Sequence, residues 1–355
     1  MTTFYSDTLA GSANQSFFYS DGAPITCRVY YKLFCGGSEY KIYFSDTVDS
    51  TFADGTHSVA NDTCGEWEIL SLRAGVCASC GMDEPTEPES FVTALFGGKA
   101  EKILSAGESF STDVMHIFAQ KGDYLCVEYA VCGTKIPCHP EIQIPTFVRK
   151  NGAWVKSVFL PVPSMVGVNR RAEKRVCFLG DSITQGIGAT PNGYRHWCAV
   201  AAEALGGGYA YRNLGIGYAR ASDAATDGAW LSKAKESDVC VLCLGTNDII
   251  QGADADSVCQ SIVKIKNILE KQGVQVVLQT VPPFEYPSDG AERWARVNGY
   301  LKSAFEKVFD NTAFLCEKGS AIPVYGGHPN DTGCKIWGER IAEYIKAAVD
   351  NGYTV

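Results

Sequence analysis

No run of this 355-residue sequence is apolar for long enough to span a bilayer, which excludes a transmembrane helix as its organising feature. The opening residues, MTTFYSDTLAGSANQSFF, lack both a basic leader and a continuous apolar core. No secretory signal is legible there, and a cytoplasmic chain is expected; a chain whose leader had been removed would read the same way and would be extracellular. Positive charge is in deficit, with 31 Lys and Arg against 40 Asp and Glu and a net charge of -9. That speaks against nucleic acid or an anionic membrane surface as a partner. Nucleotide signatures are missing too: Gly180, Gly186 and Gly188 fit neither GxGxxG nor a P-loop, and no lysine follows them. There is no internal repeat and no low-complexity tract.

What is abundant is cysteine, fifteen in all, scattered and often inside strand-like runs such as VCVLCLG. This reads as reduced, buried thiols in a cytoplasm rather than a disulfide framework. Cys77 and Cys80 form a CxxC, but no second CxxC or histidine pair follows at zinc-finger spacing, so neither a metal nor a cofactor is expected.

The chain changes character near residue 165. Before it, short alternating runs (ITCRVYYKLF, YKIYFS, EWEILSLRAG, SFVTALFGG, GDYLCVEYAV, IQIPTFV) are broken by Gly, Asp, Asn and Ser. Such a pattern predicts an antiparallel β-sandwich, jelly-roll-like, over residues 1–165. After it, strand-like and helical runs alternate: RVCFLG, AYRNLG, DVCVLCLG, VQVVLQTV and TAFLCEKG each precede a helical pattern. Five such repeats predict an α/β fold over residues 172–355, a parallel sheet with helices on both faces. PVPSMVGVNRRAEKR, residues 161–175, reads as a linker.

Functional groups in open parallel sheets gather at the carboxyl ends of strands. The first strand delivers Gly180-Asp181-Ser182, a sharp turn into a helix that lifts a serine towards backbone N–H groups; a plain helix cap reads equally from those residues. The second delivers NLGIGYAR, Asn213 to Arg220, a glycine-rich turn offering further N–H donors. The third delivers Asn247 and Asp248, where an amide beside a serine can donate to an oxyanion or simply cap a helix. GGHPND follows late in the chain, with His328 in a loop suited to a cleft and Asp331 read as a cap.

These four blocks resemble those of the SGNH, or GDSL, hydrolases. GDSIT at Gly180–Thr184 matches the first block and GTND at Gly245–Asp248 the third, while NLGIGYAR approximates the second and GGHPN the fourth. ALFGGKAEKILSAGESFSTDVMHIFAQKGDYLCVEY is similar to the β-sandwich that precedes the hydrolase domain in some bacterial esterases of the group. The resemblance implies a three-layer α/β/α, flavodoxin-like hydrolase fold after a β-sandwich. Two positions depart from the pattern: Tyr218 stands where the second block has glycine, and Tyr325 where the fourth has the aspartate three residues before histidine.

By resemblance and chemistry, Ser182 is the expected nucleophile and His328 the base, with an oxyanion hole of the Ser182 N–H, the N–H near Gly217 or Tyr218, and the Asn247 amide. A backbone carbonyl, Tyr325 or Glu317 is expected to orient His328 in place of the missing aspartate. Asp181, Arg195, Trp197 and Arg220 are candidates for lining a substrate pocket, against surface ion pairing or packing. The expected substrate is a small acyl ester, acetyl above all, on a small molecule or carbohydrate. A lipase or thioesterase for longer chains, and a non-catalytic relative that has lost its triad aspartate, are the alternatives.

Overall fold

The computed structural model describes residues 3–50, 60–287, 289–316 and 327–350. Its organising element is a mixed sheet whose parallel part runs Gln275–Leu278, Val239–Cys243, Lys174–Gly180, Tyr209–Asn213. Alternation along each strand sends side chains to two layers. Val176, Phe178, Val239 and Val241 face the helices Trp197–Leu205 and Asp331–Asp350, where Trp197 and Trp337 stack at 4.7 Å. Cys177, Leu179, Cys240 and Leu242 face the opposite layer, which includes Ala255–Lys271 and Gly290–Ala304. Near-continuous apolar strands of this kind are what burial on both faces requires.

Two expectations fail at the edges of this sheet. The fifth strand predicted around TAFLCEKG is not one over its described part: Thr312–Leu315 is a short helix, and residues 317–326 lie outside the described set. Asp310 accepts hydrogen bonds from Thr312 N and Oγ1, and Asn311 bonds Thr280, so the chain turns where an extended strand was expected. What pairs with the sheet there is a single bridge between Gln279 and Phe309. The fifth parallel strand instead comes from the other end of the chain. Phe4–Thr8 lies beside Tyr209–Asn213, with Asp7 opposite Tyr211 and Thr8 opposite Arg212.

The predicted linker is also a strand over part of its length. Met165–Asn169 pairs antiparallel with Phe4–Thr8 on one side and Gly37–Ser45 on the other. MVGVN buries Val166 and Val168, and a Cβ on Gly167 would come within 2.8 Å of the Tyr43 ring, so this glycine serves close packing rather than flexibility. The parallel sheet therefore continues without a break into antiparallel strands.

A second, antiparallel sheet centres on Tyr124–Cys132, flanked by Ile25–Lys32 and Trp67–Cys77. Its Val29, Leu125, Val127 and Tyr129 share a core with Tyr40, Ile42, Phe44, Val166 and Val168, and that core is continuous with Phe178 and Trp197. Phe44 meets Tyr129 edge to face at 5.8 Å. A three-strand sheet, Phe159–Leu160, Lys135–Pro140 and Ser16–Tyr19, completes the described strands. All fifteen cysteines carry free thiols, most of them buried. No described helix is long and apolar enough to cross a membrane.

Because Phe4–Thr8 and Met165–Asn169 sit inside the sheet, residues 172–355 produced alone should expose an unpaired strand edge and part of the shared core. The expected outcome is aggregation, or a melting temperature by circular dichroism well below that of the full chain.

Candidate active site

The site is built where parallel strands end. Gly180 closes the strand Lys174–Gly180; a Cβ there would overlap Thr184 Oγ1 and come within 2.6 Å of the Cys243 carbonyl, so only glycine fits. Asp181 caps the one-turn helix Ser182–Gln185, accepting from Ile183 N at 3.0 Å. Gly186, at φ +114°, ends that helix, and both Gly186 N and Ile187 N donate to the Ser182 carbonyl at 3.0 Å. Ser182 is thereby fixed at the first helical position, half-buried, with its hydroxyl towards His328.

Ser182 Oγ and His328 Nε2 are 2.8 Å apart. His328 is 5% exposed and meets the edge of Phe284 at 5.1 Å between ring centres. The loop after Ser182 packs directly on the histidine, since a Cβ on Gly188 would come within 2.6 Å of His328 Cβ. Asp331 secures that arrangement by accepting from Thr190 N and Oγ1, both at 2.6 Å, and from Arg195 at 3.2 Å. The capping role expected of Asp331 falls instead to Asn330, whose Oδ1 accepts from Gly333 N at 3.0 Å. The expected orienting residues Tyr325 and Glu317 lie outside the described residues.

The second block turns at Gly217 and Tyr218. Tyr218 holds φ +61°, the left-handed conformation that glycine adopts without cost. Its ring projects to solvent, 47% exposed. Asn213 ties this turn to the helix Ser182–Gln185: Nδ2 donates to Thr184 O at 2.8 Å and Leu9 O at 3.2 Å, and Oδ1 accepts from Gly215 N at 2.8 Å. Asn247 Nδ2 donates to Ala219 O at 3.0 Å, bringing its amide to the same turn. Asp248 accepts from Ala221 N at 2.7 Å and Ser222 N at 3.1 Å, anchoring the segment that follows. Among the described residues, no backbone acceptor is paired with the N–H of Ser182, Gly217 or Tyr218.

The candidates for a substrate wall have the following surroundings. Arg195 makes its surface ion pair with Asp331, and Arg220 pairs with Asp223 at 2.7 Å. Trp197 is fully buried in the core. Asp181 is buried under the turn, not facing a cleft; burial pushes its carboxyl up to about 7, Asp248 adds to the rise, and the Ile183 N–H and Thr246 hydroxyl oppose it.

Several site neighbours escaped the sequence reading. Gln185, buried beside Ser182, sets the two protons of its Nε2 among His139 Nε2 and the carbonyls of Pro140 and Glu141. Its signal was its spacing, since residues three apart on a helix share a face. His139 and the segment Leu9–Gln15 carried no such signal; they reach the site because Phe4–Thr8 runs parallel to the other strands and so ends at the same edge. His196 Nε2 and Asn213 Nδ2 both contact the Leu9 carbonyl, and His139 Nδ1 contacts that of Ala13 at 2.6 Å.

Residues 178–336 match the model of the GDSL-like lipase/acylhydrolase family. Among solved structures, the chain is similar to a carbohydrate acetylesterase family member from Sinorhizobium meliloti, at 18% identity over 50% of this chain and 99% of that one, with a TM-score of 0.42. It is similar to a member of the lipolytic protein G-D-S-L family from Veillonella parvula DSM 2008 at 23% identity, covering 48% and 98%, with a TM-score of 0.41. It is also similar to a carbohydrate esterase family 3 protein from Talaromyces cellulolyticus at 19% identity, covering 50% and 98%, with a TM-score of 0.41. Among curated proteins, none matches the sequence.

Two outcomes follow from the geometry. Tyr218→Gly removes about 1–2 kcal/mol of left-handed strain and adds about 0.5–1 kcal/mol of unfolded-state entropy. Urea denaturation should therefore find it close to the native chain, and Tyr218→Val clearly less stable. The raised pKa of Asp181 means the folded state holds this proton where the unfolded chain has released it. Its contribution to stability is present below the unfolded value of 3.8 and is lost as pH rises through about 7. Asp181→Asn, which keeps an acceptor for Ile183 N, should flatten the fall in melting temperature over that window.

Proposed function

Residues 178–336 being a GDSL-like lipase/acylhydrolase domain, we propose that the chain is a serine esterase acting on small acyl esters, with Ser182 as nucleophile and His328 as general base. The observation that carries this reading is the 2.8 Å hydrogen bond between Ser182 Oγ and His328 Nε2 at the carboxyl edge of the sheet. Distance and direction suit proton transfer from hydroxyl to imidazole.

In the first step, Ser182 Oγ attacks the ester carbonyl carbon as its proton passes to His328 Nε2. The carbonyl oxygen becomes an oxyanion among the N–H groups of Ser182 and the Gly217–Tyr218 turn and the Asn247 amide. One such donor lowers the barrier by about 3–4 kcal/mol. Collapse breaks the bond to the alcohol oxygen, which leaves with the proton from His328, and an acyl-serine remains. Water then loses a proton to His328 while attacking the acyl carbon, and the proton returns to Ser182 Oγ as the acid departs.

The small acyl group is the expectation carried by the resemblance of the four sequence blocks. A cavity of about 140 Å³ lined by Pro282, Pro283, Phe284, Glu285, Leu315, Gly327 and Pro329 lies against the residues flanking His328, with neither Ser182 nor His328 in its lining. A larger cavity of about 470 Å³ lies at the opposite edge of the sheet, around Arg175, Tyr211, Glu236 and Asp238, away from Ser182.

The test is a series of p-nitrophenyl esters from acetate to octanoate, with a peracetylated monosaccharide as the sugar-linked member. Activity should fall steeply with acyl length, and Ser182→Ala should lose at least about 10³-fold in kcat together with labelling by a fluorophosphonate. Turnover undiminished in Ser182→Ala would overturn the assignment, and a maximum at octanoate would overturn the small acyl group.

A further inference from the structure

Besides Asn213 and Asn247, the turn carrying Gly217 and Tyr218 packs against Gln185. Gly215 packs against the backbone of Gln185, where a Cβ would overlap the amide nitrogen. A Cβ on Gly217 would lie 3.2 Å from Gln185 Oε1 and 3.4 Å from the amide atoms of Gln15. From the other side, Gln185 Nε2 lies 2.9 Å from Pro140 O, 3.2 Å from Glu141 O and 3.2 Å from His139 Nε2, three acceptors that share its two N–H protons. Carbonyl oxygens only accept, so this end of the amide is the NH2 and Oε1 is turned towards Gly217. The histidine agrees: Nδ1, 2.6 Å from the Ala13 carbonyl, must carry the ring proton, which leaves Nε2 to accept.

Oε1 is buried without a hydrogen-bond donor among the described residues, a cost that a glutamine used only for packing would not need to bear. Backbone strain flanks it on both sides, with Glu141 at φ +53° and Tyr218 at φ +61°. We propose that Gln185 is a positioning residue: clamped by His139, Pro140 and Glu141, it holds the Gly217–Tyr218 turn so that its N–H groups stay aimed at the oxyanion formed on Ser182. The proposal rests on the reading of Ser182 as nucleophile. It makes residues from the first half of the chain part of the apparatus that sets turnover.

The experiment compares the native full chain with Gln185→Met, His139→Phe and the double variant. Three quantities are read: kcat and KM on p-nitrophenyl acetate, active sites titrated with a fluorophosphonate, and Kd for phenylboronic acid, which forms a tetrahedral adduct on the serine. The expected result is a fall in kcat per titrated site of about 10- to 100-fold, with KM within about twofold and the boronic acid weakened by a similar factor. The double variant should lose no more than Gln185→Met, because one clamp is broken in each. A glutamine that only packs would lower the titratable fraction or the melting temperature and leave kcat per site native, and that result overturns the proposal. So does a rise in KM with unaltered boronic acid binding. If Gln185→Met does not fold, His139→Gln, which leaves Gln185 in place beside a different partner, is read for the same split. A native chain that neither labels nor turns over would overturn the nucleophile reading itself, an outcome distinct from native turnover with unaltered variants.

Discussion

The hydrogen bond between Ser182 and His328 joins segments 146 residues apart, and nearly every feature around it serves to keep that distance at 2.8 Å. One partner is fixed by a one-turn helix with a cap at each end. The other is fixed by packing against Gly188 and Phe284, and by Asp331 gripping Thr190. Neither segment depends on a long flexible side chain. Rotamer freedom is removed by the fold itself, so the pair is preorganised.

A shared property of the supporting residues is burial of polar groups with their partners supplied from distant parts of the chain. Asn213, Asp248, His139 and His196 are all buried, and each meets a backbone group outside its own element. Burial holds His139 and His196 low, to about 4, so both stay neutral and serve as fixed hydrogen-bonding groups. Of the described histidines in this layer, His328 is the one set against a serine hydroxyl.

Much of the site was legible because the residues that do local geometric work are local in sequence. GDSIT shows its glycine, its cap and its serine within five positions, and GTND shows its turn and amide in four. Alternation placed the parallel strands well, since strands buried on both faces are unbroken apolar runs. The errors fell where a strand's partner is remote. MVGVN read as a linker because prolines precede it and basic residues follow; its alternation counts only once Phe4–Thr8 and Gly37–Ser45 lie on either side. Phe4–Thr8 itself is an ordinary amphipathic run until Tyr209–Asn213 is beside it. TAFLC read as a strand from its apolar content, whereas the chain turns into a short helix there, with Thr312 N donating to Asp310 Oδ1. Gln185 and His139 were invisible as a pair for the same reason: nothing links residues 139 and 185 except the finished fold.

The place of Phe4–Thr8 in the sheet has a consequence for how the chain is made. Asp7 lies opposite Tyr211, and Thr8 opposite Arg212. A ribosome adding about 5–20 residues per second needs on the order of 10–40 s between making one and making its neighbour. Through that interval the early strand has no parallel partner, and the serine's edge of the sheet cannot close. Contacts so distant along the polymer slow folding and leave sticky intermediates exposed. Completion of the sheet edge that carries Ser182 is therefore a late event, since Tyr209–Asn213 must be made before Phe4–Thr8 has its parallel neighbour.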